Sequence, residues 1–556
     1  MADFPWIEKY PKGIPAEIQI DEFNNLIEFF EDGFKSYKDR PAYENMGKVL
    51  TYGEIDEMST NFAAFLQNDF KLKKGDRIAI QMPNCLQYPI ALIGSLKAGL
   101  VVVNTNPLYT PREMEHQFKD AQVSAILAVT NFADNVEKVL PNVGVDKVIL
   151  TGLGDMLGGI KGALVNFVVK YIKKMVPKYN LPMAVSFKDV LTKGATSTYV
   201  RPEMDKNDLA FLQYTGGTTG VSKGAMLSHG NIINHTTQIF HWFSPLFKKD
   251  QIEVVLTAIP LYHIFALTVN GILMFRIGAK NVLITNPRDM KAFVGELKKH
   301  TITIFTGVNT LFNGLLNQEK IKEVNWSGLK ATIGGGMAVQ DFVAKKWKTV
   351  TGCILCEGYG LSETSPVLSV NPLDGTERLG SIGLPTPSTE MAIFDENGNQ
   401  LAQGEIGEIC ARGPQVMSGY WNLESEGVFF DGGWFRTGDI GVMEKDGFFK
   451  IVDRKKDMIN VSGFNVYPNE VENVLADNEK ILEVAVIGVP DDKSTEAVKA
   501  FIVKLDPTLT EQEVHDYCHE NMTGYKRPKY VEFRDELPKS NVGKILRRVL
   551  KEESAT

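Results

Sequence analysis

The chain has 556 residues, of which 44% are hydrophobic and 23% are charged, and its formal net charge at pH 7 is −8. This length allows roughly three or four globular units, and the composition is that of an ordinary globular protein. The acidic balance argues against nucleic acid as a partner, because a nucleic-acid-binding surface is basic.

The cysteines and the N-terminus bear on location. The chain has 5 cysteines, whose irregular spacing indicates a reducing compartment rather than a disulfide framework. Residues 1–9 carry acidic side chains where a secretory signal would carry basic ones. The longest apolar stretch, residues 88–104, is interrupted by Lys97 and falls short of the roughly 18 residues that span a bilayer. We therefore expect a cytoplasmic protein, either free or peripheral on the inner face of the cell membrane.

Helical segments and short β-branched runs alternate over the first two thirds of the chain, as in βαβ units. In the first part the helical segments are 24–39 and 52–68, and the runs are 77–80, 100–103 and 125–128. A polar connection at 187–208 separates them from further runs at 254–259, 282–285, 302–305 and 331–333. This order predicts an α/β fold with two doubly wound subdomains, at about 22–190 and 205–370.

Beyond residue 370 the pattern changes twice. Glycines and prolines become frequent and the strands shorten, at 391–394, 408–411 and 448–452, which predicts a small antiparallel β-barrel or sheet at about 371–453. After Arg454, a helical segment at 468–476, strands at 484–488 and 498–503, and a helix at 510–521 predict a compact α/β unit. The predicted organisation is a large domain, 1–453, followed by a small C-terminal lid, 454–556.

The most informative segment is residues 214–224, Tyr-Thr-Gly-Gly-Thr-Thr-Gly-Val-Ser-Lys-Gly. Glycines allow backbone N–H groups to approach an anion, threonine hydroxyls add donors and a lysine adds positive charge. Strand-like residues flank the segment on both sides, and its spacing is not that of the Walker A motif, in which the lysine directly follows a glycine. The segment therefore predicts a polyphosphate-binding loop made of Thr215, Gly216, Gly217, Thr218, Thr219, Gly220 and Lys223.

This loop resembles the phosphate-binding signature of the adenylate-forming superfamily, which includes acyl-CoA synthetases, luciferases and the adenylation domains of peptide synthetases. Further motifs of that superfamily follow in order. They lie at 96–107, 260–264, 334–338, 357–364, 407–409, 419–422, 434–439, 453–457, 463–468 and 538–545. Within the superfamily the motif sequences are most similar to those of bacterial long-chain fatty-acid CoA ligases, above all at 461–472 and 523–528.

The resemblance implies a two-step reaction on a fatty acid. Its carboxylate attacks the α-phosphorus of ATP, magnesium pyrophosphate leaves, and the thiolate of coenzyme A then displaces AMP to give a thioester. Both steps depend on positioning and charge neutralisation rather than on a protein nucleophile. The partners implied are therefore ATP, Mg²⁺, coenzyme A and a fatty acid.

The resemblance also assigns roles to individual residues. Lys544 would neutralise charge at the α-phosphate, Thr364 would lie near that phosphate, and Glu363 would hold Mg²⁺ together with Thr219. Tyr359 would stack on adenine, Asp439 would accept from the ribose hydroxyls, and Arg454 would add a second contact to the ribose or to a phosphate. Lys456 matches the hinge about which the lid moves, and Gly463 would line the pantetheine path. The motif glycines expected beside the nucleotide are Gly335, Gly336, Gly358 and Gly360.

Other residues bear on the acyl group. His263 resembles a residue between the acyl and thiol sites, although a core histidine is the alternative. Trp242 belongs to the apolar cluster 239–243, and this cluster is either an acyl tunnel or ordinary core. Gly334 begins a run of three glycines that would leave room for the chain.

Residues 160–176 place apolar side chains at helical spacing among four lysines. Such a segment, within 157–178, either rests in a membrane interface or packs on the protein. Two other functions stay open: a fatty acyl-AMP ligase that delivers to a carrier protein, and an idle nucleotide-binding scaffold. The sequence does not decide whether the protein is a homodimer.

Overall fold

The computed structural model describes residues 4–20, 22–215, 222–248, 251–424, 426–462, 464–491, 494–540 and 543–554. Their secondary structure is α/β with four sheets. The helices are Leu26–Tyr37, Tyr52–Asn68, Gln87–Lys97, Pro111–Asp120, Ala133–Val143, Gly159–Phe167, Phe187–Gly194, His229–Phe243, Met274–Arg276, Met290–Leu297, Asn309–Leu316, Asp341–Thr351, Pro468–Ala476, Glu511–Asn521 and Arg547–Ser554, with π-helical turns at Val168–Ile172 and Ala266–Leu273. None of these helices is long and apolar enough to cross a membrane.

One sheet has seven strands among the residues described. In spatial order they are Val185–Ser186, Val148–Thr151, Ala125–Val129, Arg77–Gln81, Val101–Asn104, Leu209–Thr215 and Lys223–Ser228. The pairings are parallel except for the last, an antiparallel hairpin. Polar side chains cap some of the helices that follow the strands; Ser228, for example, caps His229–Phe243 by accepting from the Asn231 N–H.

A second sheet has nine strands over the same described ranges. In order they are Leu384–Pro385, Val367–Val370, Leu355–Gly360, Ala331–Gly334, Ile304–Gly307, Val254–Thr257, Lys280–Leu283, Pro41–Asn45 and Lys48–Thr51. Its centre is parallel and its edges are antiparallel. The strands of both large sheets are almost wholly buried, which explains their continuous apolar runs.

The predicted subdomain limits differ from the sheets in two places. Strands at 41–51, expected in the first unit, pair through Tyr43 and Asn281 with the second sheet. Strands at 209–228, expected in the second unit, pair through Val102 and Phe211 with the first sheet. In both places the paired strands are distant in sequence. An alternating pattern of apolar residues predicts whether a segment is a helix or a strand, but it does not predict which strands pair. The two α/β units are therefore interleaved along the chain.

The C-terminal third forms two smaller sheets. Of the two predicted forms for 371–453, barrel and sheet, the described residues form an antiparallel sheet of Glu390–Phe394, Ile406–Arg412, Trp434–Met443 and Phe429–Phe430, with Phe449–Arg454 also paired to Trp434–Met443. The last unit has Phe464–Val466, Ile459–Val461, Thr495–Lys504 and Ile481–Asp491, with Tyr530–Arg534 beside Thr495–Lys504. The C-terminal unit has its own apolar core, as a small domain requires.

Candidate active site

The two strands that flank the predicted phosphate loop, Leu209–Thr215 and Lys223–Ser228, form the antiparallel pair that ends the seven-stranded sheet. Thr215 and Lys223 are opposite each other at its base. Gly216, Gly217, Thr218, Thr219 and Gly220 lie outside the described residues. The Lys223 ammonium is 5.2 Å from the centre of the Tyr420 ring, and the Tyr420 hydroxyl donates to Oε1 of Glu363 at 2.7 Å. The base of the hairpin and the predicted magnesium ligand are thus adjacent.

Tyr359, Asp439 and Arg454 form one cluster. The Tyr359 hydroxyl donates to Oδ2 of Asp439 at 2.7 Å, and Nε of Arg454 lies 3.1 Å from Oδ1 of the same carboxylate. Asp439 and Arg454 are register partners on adjacent antiparallel strands, so the backbone itself brings them together. The negative charge of Asp439 raises the pKa of Arg454 above its ordinary value.

Glu363 and Thr364 sit in a buried turn that follows Tyr359. The Glu363 carbonyl accepts from the Met417 N–H at 2.8 Å, and the Thr364 hydroxyl accepts from the Leu361 N–H at 3.0 Å and donates to the Pro366 carbonyl. These bonds fix the turn from both sides. Oε1 of Glu363 is held by the Tyr420 hydroxyl, and within the described residues Oε2 of Glu363 forms no hydrogen bond.

Lys544 reaches the same cluster from the C-terminal unit. A β-carbon built on Gly336 would lie 3.1 Å from Cε and 3.5 Å from Nζ of Lys544, so the lysine lies against that glycine. The preceding residue, Gly543, is anchored to the large domain, since its carbonyl accepts from the Thr310 hydroxyl at 2.9 Å. Burial, followed by the charge of Arg454, lowers the pKa of Lys544 to about 8.

A cavity lies beside Tyr359 and Lys544 of this cluster, with an empty volume of about 630 Å³ that includes open solvent at its mouth. Its lining combines the polar side chains of His263, Tyr359, Ser362 and Lys544 with Gly335, Gly336, Gly358 and Gly360 and with the apolar residues Ile239, Phe243, Ile264, Phe265, Val269, Ile333, Leu361, Pro366, Val367 and Val370. Burial, followed by the charge of Lys544, lowers the pKa of His263 to about 3. The imidazole is therefore neutral around pH 7, and the histidine faces a cavity rather than closed core.

Two residues predicted at the acyl site do not line this cavity. Trp242 is fully buried, its indole N–H donates to the Asn371 carbonyl at 3.2 Å, and its ring packs edge-on against Tyr10. A β-carbon on Gly334 would meet the Val339 side chain at 2.5 Å, so this glycine permits close packing inside the protein. Ile239 and Phe243, one turn apart on the same helix as Trp242, face the cavity instead.

Lys456 lies between the large domain and the C-terminal unit, beside a network that joins them. Asp453 ends a strand of the third sheet, yet its carboxylate accepts from the Asn469 N–H at 2.9 Å. Nη1 of Arg547 is 3.5 Å from both Asp453 and Asp457, and Nη2 is 2.7 Å from Glu472. Burial, followed by the charge of Arg454, lowers the pKa of Lys456 to about 8. Gly463 lies outside the described residues.

Two residues of the site were given no role by the sequence. Tyr420 belongs to a matched motif, but nothing in its spacing shows that its hydroxyl binds Glu363. Glu357 is buried and accepts from the Val339 N–H at 3.1 Å and the Gly380 N–H at 3.3 Å. Burial raises the pKa of Glu357 to about 7. The sequence feature that could have identified Glu357 is its position directly before Gly358, Tyr359 and Gly360.

Known proteins match both the domains and the whole chain. The profile of AMP-binding enzymes matches residues 30–421, and that of the AMP-binding enzyme C-terminal domain matches residues 470–544. The chain belongs to the AMP-binding enzyme family. The long-chain-fatty-acid–CoA ligase of Escherichia coli O157:H7 is 54% identical over 550 residues, which are 99% of this chain and 98% of that one.

More distant relatives extend the match. The long-chain-fatty-acid–CoA ligase of Bacillus subtilis strain 168 is 40% identical over 99% of this chain and 98% of its own. The crystal structure of ATP-bound MatB from Rhodopseudomonas palustris superposes with a TM-score of 0.82 at 27% identity, covering 96% of this chain and 99% of that one.

Proposed function

We propose that this protein is an AMP-forming long-chain fatty-acid CoA ligase. The observation that carries the proposal is the 54% identity over the full length of a ligase of that name. The cavity supports it, because apolar side chains and the charged Lys544 line the same space. A fatty acid has the same two parts, an apolar chain and a carboxylate.

In the first step, a carboxylate oxygen of the fatty acid forms a bond to the α-phosphorus of ATP, and the bond from that phosphorus to the bridging oxygen breaks. The products are acyl-AMP and pyrophosphate. Thr215, Lys223 and the loop 216–220 would hold the β- and γ-phosphates, and Asp439 would accept from the ribose hydroxyls with Arg454 beside it. Lys544 would neutralise the negative charge that develops at the α-phosphate.

The residues present fit a magnesium ion. Mg²⁺ prefers oxygen ligands, and Glu363 offers a carboxylate whose other oxygen is already fixed by Tyr420. Glu363 would hold the ion with Thr219, and a bound Mg²⁺ would neutralise charge on the departing pyrophosphate. Tyr420 would keep the Glu363 carboxylate in one orientation for this purpose.

In the second step, the thiolate of coenzyme A attacks the acyl carbon and the carbon–oxygen bond to AMP breaks. We propose that the lid turns about Lys456 between the two steps and that Gly463 lines the pantetheine path. His263 lines the same cavity as Lys544, in which the acyl carbonyl would sit. Its low pKa keeps the imidazole uncharged, so it would not compete with Lys544 for the carboxylate.

The proposal includes the location of the protein. Fatty acids partition into bilayers, so we propose a cytoplasmic enzyme that contacts the inner face of the cell membrane through residues 157–178. A homodimer stays a prediction, which sedimentation velocity of the purified protein would test.

The deciding experiment is fatty-acid-dependent release of pyrophosphate, with and without coenzyme A, over acids of increasing chain length. We expect long-chain acyl-CoA and AMP to form, and Lys544→Ala to slow the first step by about 10²- to 10³-fold. Acyl-AMP that passes only to a carrier protein would identify an acyl-AMP ligase. Binding of ATP without pyrophosphate release would identify a scaffold, and a preference for acetate or an aryl acid would contradict the long-chain assignment.

A further inference from the structure

The helix Pro111–Asp120 lies beside the predicted phosphate loop and contacts the chain at both ends of that loop. At the last residue of the helix, Oδ2 of Asp120 accepts from the Tyr214 hydroxyl at 2.5 Å. One turn earlier, Nε2 of His116 lies 3.0 Å from the Ser222 carbonyl oxygen. A carbonyl oxygen only accepts hydrogen bonds, so the Nε2–H of His116 is the donor. One helix therefore holds both sides of the hairpin that carries the loop.

The same end of this helix binds a second segment of the site. The Asp120 carbonyl oxygen accepts from the Trp421 indole N–H and from the Asn422 side-chain amide, each at 3.0 Å. Trp421 directly follows Tyr420, whose hydroxyl binds Glu363. Through its side chain and its backbone, Asp120 therefore joins the hairpin to the segment that orients the predicted magnesium ligand.

Local packing directs Tyr214 toward Asp120. Tyr214 and Gly224 are register partners on the two strands of the hairpin. A β-carbon on Gly224 would lie 3.1 Å from Cε2 and Cζ of the Tyr214 ring, so the missing side chain lets the ring lie across the partner strand. The Gly224 carbonyl in turn accepts from the backbone N–H of Trp421 at 2.8 Å. Tyr214 is buried, and a buried tyrosine hydroxyl needs a hydrogen-bond partner, which Asp120 supplies.

The stability of the helix itself does not account for Asp120. A carboxylate at the C-terminal end of a helix is disfavoured by the helix dipole, and Asp120 occupies that end. Within the described ranges its carboxylate forms no ion pair. Its oxygens accept instead from donors on the hairpin and on residues 421–422. The contacts that this residue makes are therefore those between the two segments of the site.

We propose that Asp120 is a positioning residue for the first reaction, because it fixes the phosphate-binding hairpin relative to the segment 419–422. The hairpin carries Lys223, and the segment carries Tyr420, which orients Glu363. This inference rests on the proposed function, in which the loop holds the β- and γ-phosphates of ATP and Glu363 holds Mg²⁺. Both act on the departing pyrophosphate, so their relative position controls how well it is bound.

Equilibrium binding of ATP and of AMP to the full chain tests the contact with the hairpin. Tyr214→Phe removes the hydroxyl and keeps the ring against Gly224. AMP lacks the β- and γ-phosphates. With Mg²⁺ present, we therefore expect affinity for ATP to fall about 5- to 20-fold and affinity for AMP to change by less than about twofold. A role in overall stability alone would not separate the two nucleotides.

Asp120→Asn tests the same contact through the sign of its effect. The substitution removes a negative charge beside the hairpin, and this alone would strengthen the binding of an anion such as ATP. A positioning role predicts the opposite, a loss of about 3- to 10-fold in ATP affinity. The double variant with Tyr214→Phe should lose little more than Tyr214→Phe alone, because both changes break one hydrogen bond.

Tyr10→Phe is the matched control. The Tyr10 hydroxyl donates to the Pro385 carbonyl at 2.5 Å, and its ring packs edge-on against Trp242. The variant thus loses a hydrogen bond of the same length away from the hairpin. We expect it to bind ATP and AMP as the wild type does. Thermal melting of each variant establishes that it is folded.

Trp421→Phe tests the contact with the second segment. The substitution removes the indole N–H that binds the Asp120 carbonyl and keeps an aromatic ring in the packing. Because Tyr420 is the adjacent residue, we expect Glu363 to bind Mg²⁺ less well. The factor by which Mg²⁺ raises ATP affinity, measured with Mg²⁺ and with EDTA, should fall about 2- to 5-fold relative to the wild type.

The proposal is overturned if folded Tyr214→Phe binds ATP within about twofold of the wild type, or if it loses as much affinity for AMP as for ATP. It is also overturned if Asp120→Asn binds ATP more tightly, or if Tyr10→Phe loses as much as Tyr214→Phe. If Tyr214→Phe does not fold, the sign of the Asp120→Asn effect decides. An unchanged response to Mg²⁺ in Trp421→Phe contradicts the link through Tyr420.

Failure of this proposal and failure of the proposed function give different results. Nucleotide binding needs no turnover, so these measurements do not depend on which acid is activated. A wild type that binds ATP but releases no pyrophosphate with fatty acids contradicts only the proposed function. Normal pyrophosphate release, together with an unchanged ratio of ATP to AMP affinity in Tyr214→Phe, contradicts only the positioning role. A wild type that binds no ATP contradicts both.

Discussion

Gly336→Ala tests whether the placement of Lys544 controls the first reaction. Gly336 has φ of +79°, and an added β-carbon would lie 3.1 Å from Cε of Lys544. That contact is too tight for the lysine to stay in place, and its flexible end gives way more easily than the backbone. The left-handed backbone costs an alanine about 1–2 kcal/mol. The variant should therefore fold with lower stability and hold Lys544 a few tenths of an ångström out of place.

The matched control is Gly352→Ala. Gly352 ends the helix Asp341–Thr351 with φ of +74°, and a β-carbon there meets nothing within 4 Å. The backbone cost is the same, so both variants should lose a similar amount of stability in thermal melting. Displacement of a catalytic group by about 1 Å costs on the order of 100-fold in rate, so a shift of a few tenths of an ångström should cost roughly 3- to 10-fold. We expect this loss of pyrophosphate release in Gly336→Ala only. Release within about twofold of the control would refute the reasoning.

Three further predictions concern the lid. Lys544→Ala should lower fatty-acid-dependent pyrophosphate release by about 10²- to 10³-fold, while thioester formation from supplied acyl-AMP continues; rapid-quench assays of each half-reaction would check this, and equal loss of both would contradict it. Because burial lowers the pKa of Lys544 to about 8, the lysine loses its charge as pH rises through that value. ATP–pyrophosphate exchange at low ATP should decline from pH 8 upward, and a profile flat to pH 9.5 would contradict the role. Asp453→Asn should leave the Arg547 cation less well paired where the lid joins the large domain. Breaking a buried pair costs up to about 3–5 kcal/mol, so we expect a lower melting temperature and a greater loss in pyrophosphate release than in thioester formation.

Local structure could be predicted where it is determined by residues that are close together in the sequence. The helix Pro468–Ala476 was predicted at its observed limits because proline suits a first turn and apolar residues recur at helical spacing. The hairpin around the phosphate loop was predicted because apolar runs flank the glycines. Strand order could not be predicted in the same way. The pairing of Tyr43 with Asn281 depends on the packing of distant elements, which leaves no pattern in either segment.

The candidate site shows the same limit. Motif resemblance selected Tyr359, Asp439, Arg454 and Lys544, and the structure brings these four together. It also selected Trp242 for the acyl site, but adjacent residues of a helix point about 100° apart. An apolar run does not show which of its members faces a cavity, so Phe243 was not distinguished from Trp242. The elements that pack on either side of the helix determine which of its residues faces the cavity.

The cavity proposed to hold the acyl chain also affects the charges of the two titratable side chains that line it, Lys544 and His263. An apolar wall excludes water, and this desolvation is the largest cause of the low pKa of both Lys544 and His263. A lysine whose pKa has been lowered by burial is only weakly stabilised in its charged form. An anion that binds beside it stabilises the charged form, because it supplies the electrostatic interaction that the buried lysine lacked. Binding of nucleotide and carboxylate should therefore raise the pKa of Lys544 and fix its proton where negative charge develops. Because His263 is already neutral, the positive charge at this position is carried by Lys544 and not by the imidazole. On the proposed function, the same apolar surroundings would select the acyl chain and prepare Lys544 for the reaction.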